Sequence, residues 1–209
     1  LTLDTANQSV VIGTDISSIE TVSGTGSNEL TASNITNSWA INATNQGVIN
    51  DGTADEVNFV NFNNLTGGTG NDDFFFSALG NVDTLIGGDG AGVDSLSART
   101  GVINTWIFTD ATSSLEQDNT APIPDELYVG DFSGIETYIT GQANEWADVS
   151  SLSGDIEVSS YLSFAGVIGN NTSSTLIGQN ADSTWTISQV KDANDIDSSG
   201  INDGTYIAD

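Results

Sequence analysis

The residues with the clearest chemical potential lie in one glycine-rich stretch, "GGTGNDDFF", at residues 67–75. Its two carboxylates, Asp72 and Asp73, are adjacent, and the glycines before them permit the left-handed backbone of a tight turn. Carboxylate and carbonyl oxygens are the ligands that a hard cation such as Ca²⁺ takes in proteins. The same residue types also form plain corners in repetitive β structures, so both interpretations stay open.

The composition narrows the classes of partner. The chain has 2 Lys+Arg against 29 Asp+Glu and a formal net charge of −27. Such a field repels phosphate backbones and anionic lipids, so we expect no nucleic-acid partner, and without a long apolar run we expect no membrane insertion. The chain has no His and no Cys, which excludes an imidazole base, a thiol nucleophile and thiolate metal sites.

The elements that must position these carboxylates are predicted to be short strands. Apolar residues alternate in segments such as "VNFVNF" (57–62), and Gly, Asn or Asp interrupts them every few residues. This pattern predicts an all-β chain without amphipathic helices. Phenylalanines occupy residues 74–76, and they cannot all face the interior of one strand, so Phe75 is expected to be covered by a loop or exposed at an interface.

Internal repeats indicate how the strands are arranged. "LTGGTG" begins at residue 65 and "LIGGDG" begins at residue 85, and a step of about twenty residues is typical of one coil of a β-solenoid. We therefore predict a right-handed parallel β-helix of roughly ten coils, forming a single domain over residues 1–209. Antiparallel β-sandwich modules are the alternative, because turn signals at this density suit them too.

The tryptophans divide into two groups. Trp39, Trp106 and Trp185 each follow a leucine by nine or ten residues, so they occupy equivalent places and are expected to form a stacked structural ladder. Trp146, in "ANEWADVS", lies outside this frame. It is the candidate for stacking against a sugar ring.

The glycine-rich stretch also matches a known motif. Residues 67–75 fit the nonapeptide G-G-x-G-x-D-x-U-x, in which U is a large apolar residue, and they resemble the calcium-binding nonapeptide of bacterial RTX proteins. The resemblance implies that Asp72 supplies a carboxylate, that Gly68 and Gly70 supply backbone carbonyls, and that Phe74 is the buried anchor. Ca²⁺ is the cofactor that it implies.

Neighbouring copies of the nonapeptide depart from the pattern. The next copy, "GGDGAGVDSLS" at residues 87–97, has a two-residue insertion that moves its aspartate to Asp94, and it also contains Asp89. Asp89 and Asp94 are therefore expected calcium ligands, in addition to Gly68, Gly70 and Asp72. The copy at residues 23–31 has Asn28 where an aspartate should stand, so gapless repetition of the RTX type is not present.

The wider phrases, "F-x-x-I/L-x-x-x-x-G" and "N/S-T/S-W-x-I", resemble the repeat arrays of very large bacterial secreted or surface proteins, the filamentous-haemagglutinin-like and RTX-type adhesins. The resemblance implies a non-enzymatic structural or adhesive module, cut from a longer protein that is secreted or displayed on the bacterial cell surface. The expected partners are neighbouring repeats of the same chain and host or surface glycans. Because a solenoid end needs a cap or a neighbour, end-to-end or edge association is also expected.

An enzymatic alternative is weighed because parallel β-helices also include polysaccharide-degrading enzymes. Asp72 and Asp73 could serve as an acid and base pair. A lyase acting on uronates would need a cationic side chain, and the chain offers only Arg99 and Lys191, each of which is predicted to be a solitary surface charge. We therefore predict no enzyme, and we retain carbohydrate binding as the main alternative.

Overall fold

The computed structural model describes residues 9–11, 20–25, 28–50, 56–117, 126–143, 145–153, 156–157, 164–169, 176–177 and 206–208. Every regular element in these ranges is a β-strand, which confirms the all-β prediction. No helix within these ranges could therefore cross a membrane. The strands are β1 (Ser9–Val11), β2 (Thr21–Ser23), β3 (Glu29–Thr31), β4 (Asn37–Ala43), β5 (Gln46–Ile49), β6 (Val57–Val60), β7 (Asn64–Thr66), β8 (Asp72–Phe76), β9 (Val82–Ile86), β10 (Ser95–Ser97), β11 (Asn104–Thr109), β12 (Ser113–Gln117), β13 (Glu126–Ser133), β14 (Thr137–Ile139), β15 (Trp146–Ser151), β16 (Ile156–Glu157), β17 (Gly166–Ile168), β18 (Leu176–Ile177) and β19 (Tyr206–Ala208).

The strands form two large mixed sheets and one small sheet. The ten-stranded sheet has the order β1-β3-β7-β9-β13-β12-β11-β15-β17-β19, and the seven-stranded sheet has the order β14-β10-β8-β4-β5-β6-β2. The small sheet contains β16 and β18. Consecutive strands mostly alternate between sheets, because β7, β9 and β11 lie in the ten-stranded sheet while β8 and β10 lie in the seven-stranded sheet.

Most neighbouring strands are parallel and are separated by a regular step along the chain. Leu65 of β7 pairs with Leu85 of β9, and Phe74 of β8 pairs with Leu96 of β10. The twenty-residue step between the two glycine-rich phrases is thus confirmed as the pairing of adjacent parallel strands. The repeated leucine occupies the same register position in both.

At two places, three consecutive strands pair antiparallel within one sheet. These two segments are termed excursions, and they were not predicted from the sequence. Strands β4, β5 and β6 pair antiparallel within the seven-stranded sheet, and β11, β12 and β13 do so within the ten-stranded sheet. Each excursion begins with a tryptophan strand, which contains Trp39 or Trp106. These two tryptophans lie in different sheets, so the prediction that they stack in one ladder is wrong; Trp185 lies outside the described residues.

The core is built from in-register rows of inward side chains. Leu30, Leu65 and Leu85 form one row across β3, β7 and β9, and all three are fully buried. Trp39 and Phe74 belong to a second row across β4 and β8, with ring centroids 5.4 Å apart. Each such side chain contributes about 1.5–3 kcal/mol on burial. Rows of this kind explain why the leucines recur at a fixed step.

The phenylalanines of β8 alternate as the period of a strand requires. Phe74 is fully buried, as expected for the anchor of the nonapeptide, and Phe76 is also inside. Phe75 points outward and is 43% exposed. The prediction that Phe75 cannot share the interior is therefore confirmed.

Glycine pairs stack at the corner that follows β7 and β9. The backbone N–H of Gly67 donates to the carbonyl of Ile86 at 2.9 Å, and that of Gly68 donates to the carbonyl of Gly87 at 3.2 Å. Gly68 and Gly88 have φ values of 137° and 136°, a backbone conformation that residues with a side chain rarely adopt. A Cβ atom on Gly88 would overlap the Gly68 carbonyl. The repeated "GG" is thus a steric requirement of close corner stacking.

Candidate functional site

The first candidate site is a buried carboxylate at the start of β8. Asn37 of β4 pairs with Asp72 of β8, which brings the side chains of Asn37 and Trp39 to the Asp72 carboxylate. Asp72 Oδ1 accepts hydrogen bonds from Asn37 Nδ2 at 2.8 Å and from Trp39 Nε1 at 3.2 Å. Asp72 Oδ2 is buried and has no hydrogen-bond partner among the described residues. These three residues are termed the Asp72 cluster.

Burial changes the acidity of this carboxyl group. Desolvation raises the pKa of Asp72 from 3.8 to about 6, and the hydrogen bonds from Asn37 and Trp39 oppose that rise. The nearby negative charges of Asp94 and Asp73 raise the pKa further. Because two donors serve a single oxygen, the ionised form is only partly compensated for its lost hydration.

Asp72 also belongs to a row of acidic residues that cap one another at the strand starts. The backbone N–H of Asp72 donates to Asp94 Oδ1 at 2.8 Å, and the backbone N–H of Asp94 donates to Glu136 Oε2 at 2.8 Å. Burial raises the pKa of Asp94 as well. The carboxylates of Asp94 and Glu136 therefore each satisfy the backbone N–H of the preceding acidic residue in this row, which gives them a structural use.

The residues predicted to bind calcium are only partly brought together. Asp72 begins β8, and Asp94 immediately precedes the adjacent strand β10. Gly68 is buried and Gly70 is half-buried at the corner before β8, and Asp89 is exposed in the turn between β9 and β10. Within the described ranges, no three acidic side chains form a group that could hold a metal ion.

Protein donors already occupy one oxygen of the Asp72 carboxylate. Trp39 and Asn37 present N–H groups to Oδ1, whereas Ca²⁺ is surrounded by oxygen ligands. The calcium site implied by the resemblance therefore stays a prediction.

The second candidate site repeats the first with a glutamate. Glu145 is fully buried and immediately precedes β15, so it lies beside Asn104 of β11. Its Oε1 accepts hydrogen bonds from Asn104 Nδ2 at 2.6 Å and from the backbone N–H of Gln142 at 3.0 Å. Its Oε2 accepts from Trp106 Nε1 at 2.9 Å. Asn104, Trp106 and Glu145 are termed the Glu145 cluster.

Sequence reasoning missed both clusters, although a signal was present. An asparagine stands two residues before the tryptophan in each case, Asn37 before Trp39 and Asn104 before Trp106. The acidic partners lie 33 and 39 positions beyond the tryptophans, so only the strand register reveals them. Ser183 occupies the asparagine position before the third repeated tryptophan, and that segment lies outside the described residues.

The prediction that Arg99 is a solitary surface charge is wrong. Its side chain is 1% exposed and lies over the ring of Tyr128, 4.1 Å from the centroid. The guanidinium donates to the Gly80 carbonyl at 2.8 Å, to Gln117 Oε1 at 3.1 Å and to Glu126 Oε1 at 3.0 Å. These contacts replace much of the lost hydration of the cation, and its buried Nε has no hydrogen-bond partner among the described residues. Lys191, the other predicted surface cation, lies outside the described residues.

Arg99 is also connected to the Glu145 cluster. The Tyr128 hydroxyl accepts a hydrogen bond from the Arg99 backbone N–H at 3.3 Å and donates to Asn104 Oδ1 at 2.8 Å. Asn104 Nδ2 in turn donates to the Arg99 carbonyl at 2.9 Å. The buried cation and the buried carboxylate are thus parts of one hydrogen-bonded network.

A polar cleft of about 340 Å³ lies between the β11–β12 turn and the end of β13. Its rim carboxylates are engaged with the protein, because Asp131 Oδ1 accepts from the Ser113 N–H at 3.3 Å and Asp110 Oδ1 accepts from the Ser153 N–H at 3.2 Å. The hydrogen bonds from Ser153 lower the pKa of Asp110. These contacts hold the β11–β12 turn against β13 and against the segment that follows β15.

Trp146, the predicted sugar-stacking residue, lies at an outward and half-buried position of β15. Its neighbours in the register are Thr105 on β11 and Gly166 on β17. The side chain is therefore outside the core, and its role in binding stays a prediction.

Comparison with known proteins found no relatives. No protein-family model matches the chain, and neither the curated proteins nor the solved structures contain a match. The function must therefore be inferred from the geometry of its own residues.

Proposed function

We propose that the chain is a non-enzymatic segment of a right-handed parallel β-solenoid, which acts as a stiff acidic shaft in a large bacterial surface or secreted adhesin-like protein. The observation that carries the proposal is the path of the chain. Strands enter the two large sheets in turn, and outside the two excursions every described pairing is parallel. An antiparallel sandwich would place hairpin partners side by side throughout.

The handedness follows from a general rule. A connection between two parallel strands of one sheet is right-handed in about 98% of cases. The excursions also change the expected number of coils, because they use chain length without adding a coil. The described strands make eight passes through the ten-stranded sheet when β11, β12 and β13 count as one pass, against the roughly ten coils expected from length.

The mechanical role rests on how the coils are joined. Parallel ladders, stacked glycine corners and the two buried carboxylate clusters each connect a coil to the next one, so stiffness is distributed along the stack. The resemblance predicts Ca²⁺ at the Gly-Asp corners, where it would reduce the repulsion between neighbouring acidic turns. The mechanical role does not depend on this ion.

The register can be tested with engineered disulfides, because the chain has no cysteine. Thr31 of β3 pairs directly with Thr66 of β7, and Ile86 lies one strand further on. Thr31→Cys with Thr66→Cys should oxidise readily, since paired Cα atoms lie within disulfide range. Thr31→Cys with Ile86→Cys is the matched control and should stay reduced. Crosslinking of the control pair, or of neither pair, would overturn the solenoid register.

The shaft role can be tested by pulling a single molecule from its two ends. A solenoid should release chain in steps that correspond to one or a few coils, with about 70 Å of added length for each twenty residues. One cooperative event that releases the whole chain would contradict a coil-by-coil shaft. It would instead favour a compact sandwich module.

A carbohydrate platform is the second candidate function. Trp146 favours it, because its side chain is at an outward position and its β17 neighbour is a glycine. Binding on a glycan array that Trp146→Ala abolishes would support it. Turnover of uronate polymers would instead revive the polysaccharide-degrading enzyme, which is the weakest alternative.

A further inference from the structure

The two large sheets differ in the charge of their outward faces. The outward positions of the ten-stranded sheet include four carboxylates on four strands, Glu29, Glu116, Asp131 and Asp148. On the described strands of the seven-stranded sheet, the outward positions carry Ser, Thr, Asn, Gln and apolar side chains, and Asp73 is the one charged residue. The Asp73 carboxylate accepts a hydrogen bond from Ser95 Oγ at 2.5 Å.

The neutral face also has an apolar row. Ile139, Ser97, Phe75, Ala40 and Val48 lie side by side in the register of β14, β10, β8, β4 and β5. Phe75 and Ile139 are 43% and 45% exposed. A chain with a net charge of −27 therefore keeps one broad face nearly free of charge, with apolar side chains at its centre.

We infer that the outward face of the seven-stranded sheet is an interaction surface, and that its occupant is the same face of a second copy of this chain. The charge pattern favours this occupant, because two molecules with a net charge of −27 can approach closely only where their facing surfaces lack charge. Two copies that meet through the ten-stranded sheets would bring several carboxylates together, whereas two seven-stranded faces bring together only Asp73 of each copy. The pairing is lateral, face against face, and so differs from the end-to-end or edge association of solenoid coils.

The size of the face sets the strength of the pairing. Seven strands about 4.8 Å apart, with a mean length of about four residues, cover roughly 450 Å² for each copy. The total of about 900 Å² lies below the size of stable specific interfaces, so the dimer should be weak and transient. Repulsion between two highly acidic molecules further weakens it at low salt, and salt should strengthen it by screening.

The test is sedimentation velocity over a range of protein concentrations, up to about 1 mM, in about 0.05 M and about 0.5 M NaCl. We expect monomers at low salt and a concentration-dependent dimer at high salt. Phe75→Ser should raise the Kd of the dimer at least tenfold. Serine is chosen because the neighbouring position in this row, Ser97, is already a serine. Leu127→Ser is the control, because Leu127 is 54% exposed on β13 of the other sheet.

Circular dichroism of both variants establishes that each keeps the fold, so that a lost dimer is not mistaken for unfolding. A monomer at every salt and protein concentration would overturn the inference. So would a dimer that Leu127→Ser disrupts and Phe75→Ser leaves intact. Neither result would bear on the disulfide test of the solenoid register.

Discussion

The Asp72 cluster and the Glu145 cluster bury an acidic side chain with the same Asn-x-Trp pattern, but they satisfy it differently. In both, the acid lies in register with the asparagine on the adjacent parallel strand. Glu145 uses both oxygens and receives three hydrogen bonds. Asp72 receives two hydrogen bonds from side chains, both at Oδ1, and its Oδ2 is left without a partner among the described residues.

The difference lies in the donors and in the neighbouring groups. Glu145 has a third donor, the backbone N–H of Gln142, and Trp106 serves its second oxygen. The Glu145 cluster also connects through Tyr128 to buried Arg99, whereas the charges nearest to Asp72 are Asp94 and Asp73. A repeated motif can thus be a fully hydrogen-bonded junction between two parallel strands in one sheet and a junction with an uncompensated buried oxygen in the other.

The largest effect is expected from removing the acceptor of the satisfied cluster. Glu145→Ala should lower the free energy of unfolding by about 4 kcal/mol, because it strands the buried donors of Asn104 and Trp106. Glu145→Gln should lower the free energy of unfolding by about 2 kcal/mol, because the glutamine NH₂ group would face an N–H donor where a carboxylate oxygen now accepts. Urea unfolding measures both. If Glu145→Gln has no cost, the satisfied cluster does not depend on two acceptor oxygens.

A smaller effect is expected from the pH dependence of Asp72. Its pKa is raised from 3.8 to about 6, so between these values the folded protein binds more protons than the unfolded chain. The contribution of this group to stability is therefore largest below pH 4 and falls as the pH rises through 6, by about 3 kcal/mol in total.

This pH effect is measured as a difference between two proteins. Asp72→Asn lacks the titrating group, so the gap in the free energy of unfolding between it and the unmodified protein should change between pH 4 and pH 7. Carboxylates remote from Asp72 cancel in the comparison, and the change in the gap reports Asp72 together with its coupled neighbours Asp94 and Asp73. A gap that stays constant over this range would show that Asp72 is not strained by burial.

The smallest of the three effects concerns the cation that supports the Glu145 cluster. Arg99→Met should lower the free energy of unfolding by about 2 kcal/mol, because the stacking on Tyr128 and three hydrogen bonds are lost while a buried charge is also removed. Lys191→Met makes the same change of net charge and is the control. Equal effects of the two substitutions would mean that charge alone, and not the contacts of Arg99, is responsible.

Local repetition made part of this fold predictable. The glycine pairs and leucines at residues 65–68 and 85–88 recur because adjacent corners must stack, and their spacing therefore gives the strand pairing directly. The excursions were not predictable in this way. Strand β5 alternates like the parallel strands and β12 has a single buried leucine, so neither sequence indicates pairing back onto the preceding strand.

The buried polar residues were less predictable still. Arg99 is buried because of Tyr128, which is 29 residues away, and Asp72 is an internal acceptor because of Trp39, which is 33 residues away. Sequence reasoning gave Asp72 a place in a calcium-binding turn from its immediate neighbours. The strand register also brings it two N–H donors from the adjacent parallel strand β4.

The most direct test of this account is the thermal unfolding of the unmodified protein, Asp72→Asn and Asp72→Ala, each in EDTA and in millimolar Ca²⁺ with Mg²⁺ as a control. If Asp72 is an internal acceptor, Asp72→Asn should unfold at or above the midpoint of the unmodified protein in EDTA, because its amide oxygen still serves Asn37 and Trp39. Asp72→Ala should lose about 3 kcal/mol. The account is contradicted if both variants lose the same stability and the unmodified protein alone gains a Ca²⁺-specific rise in its midpoint.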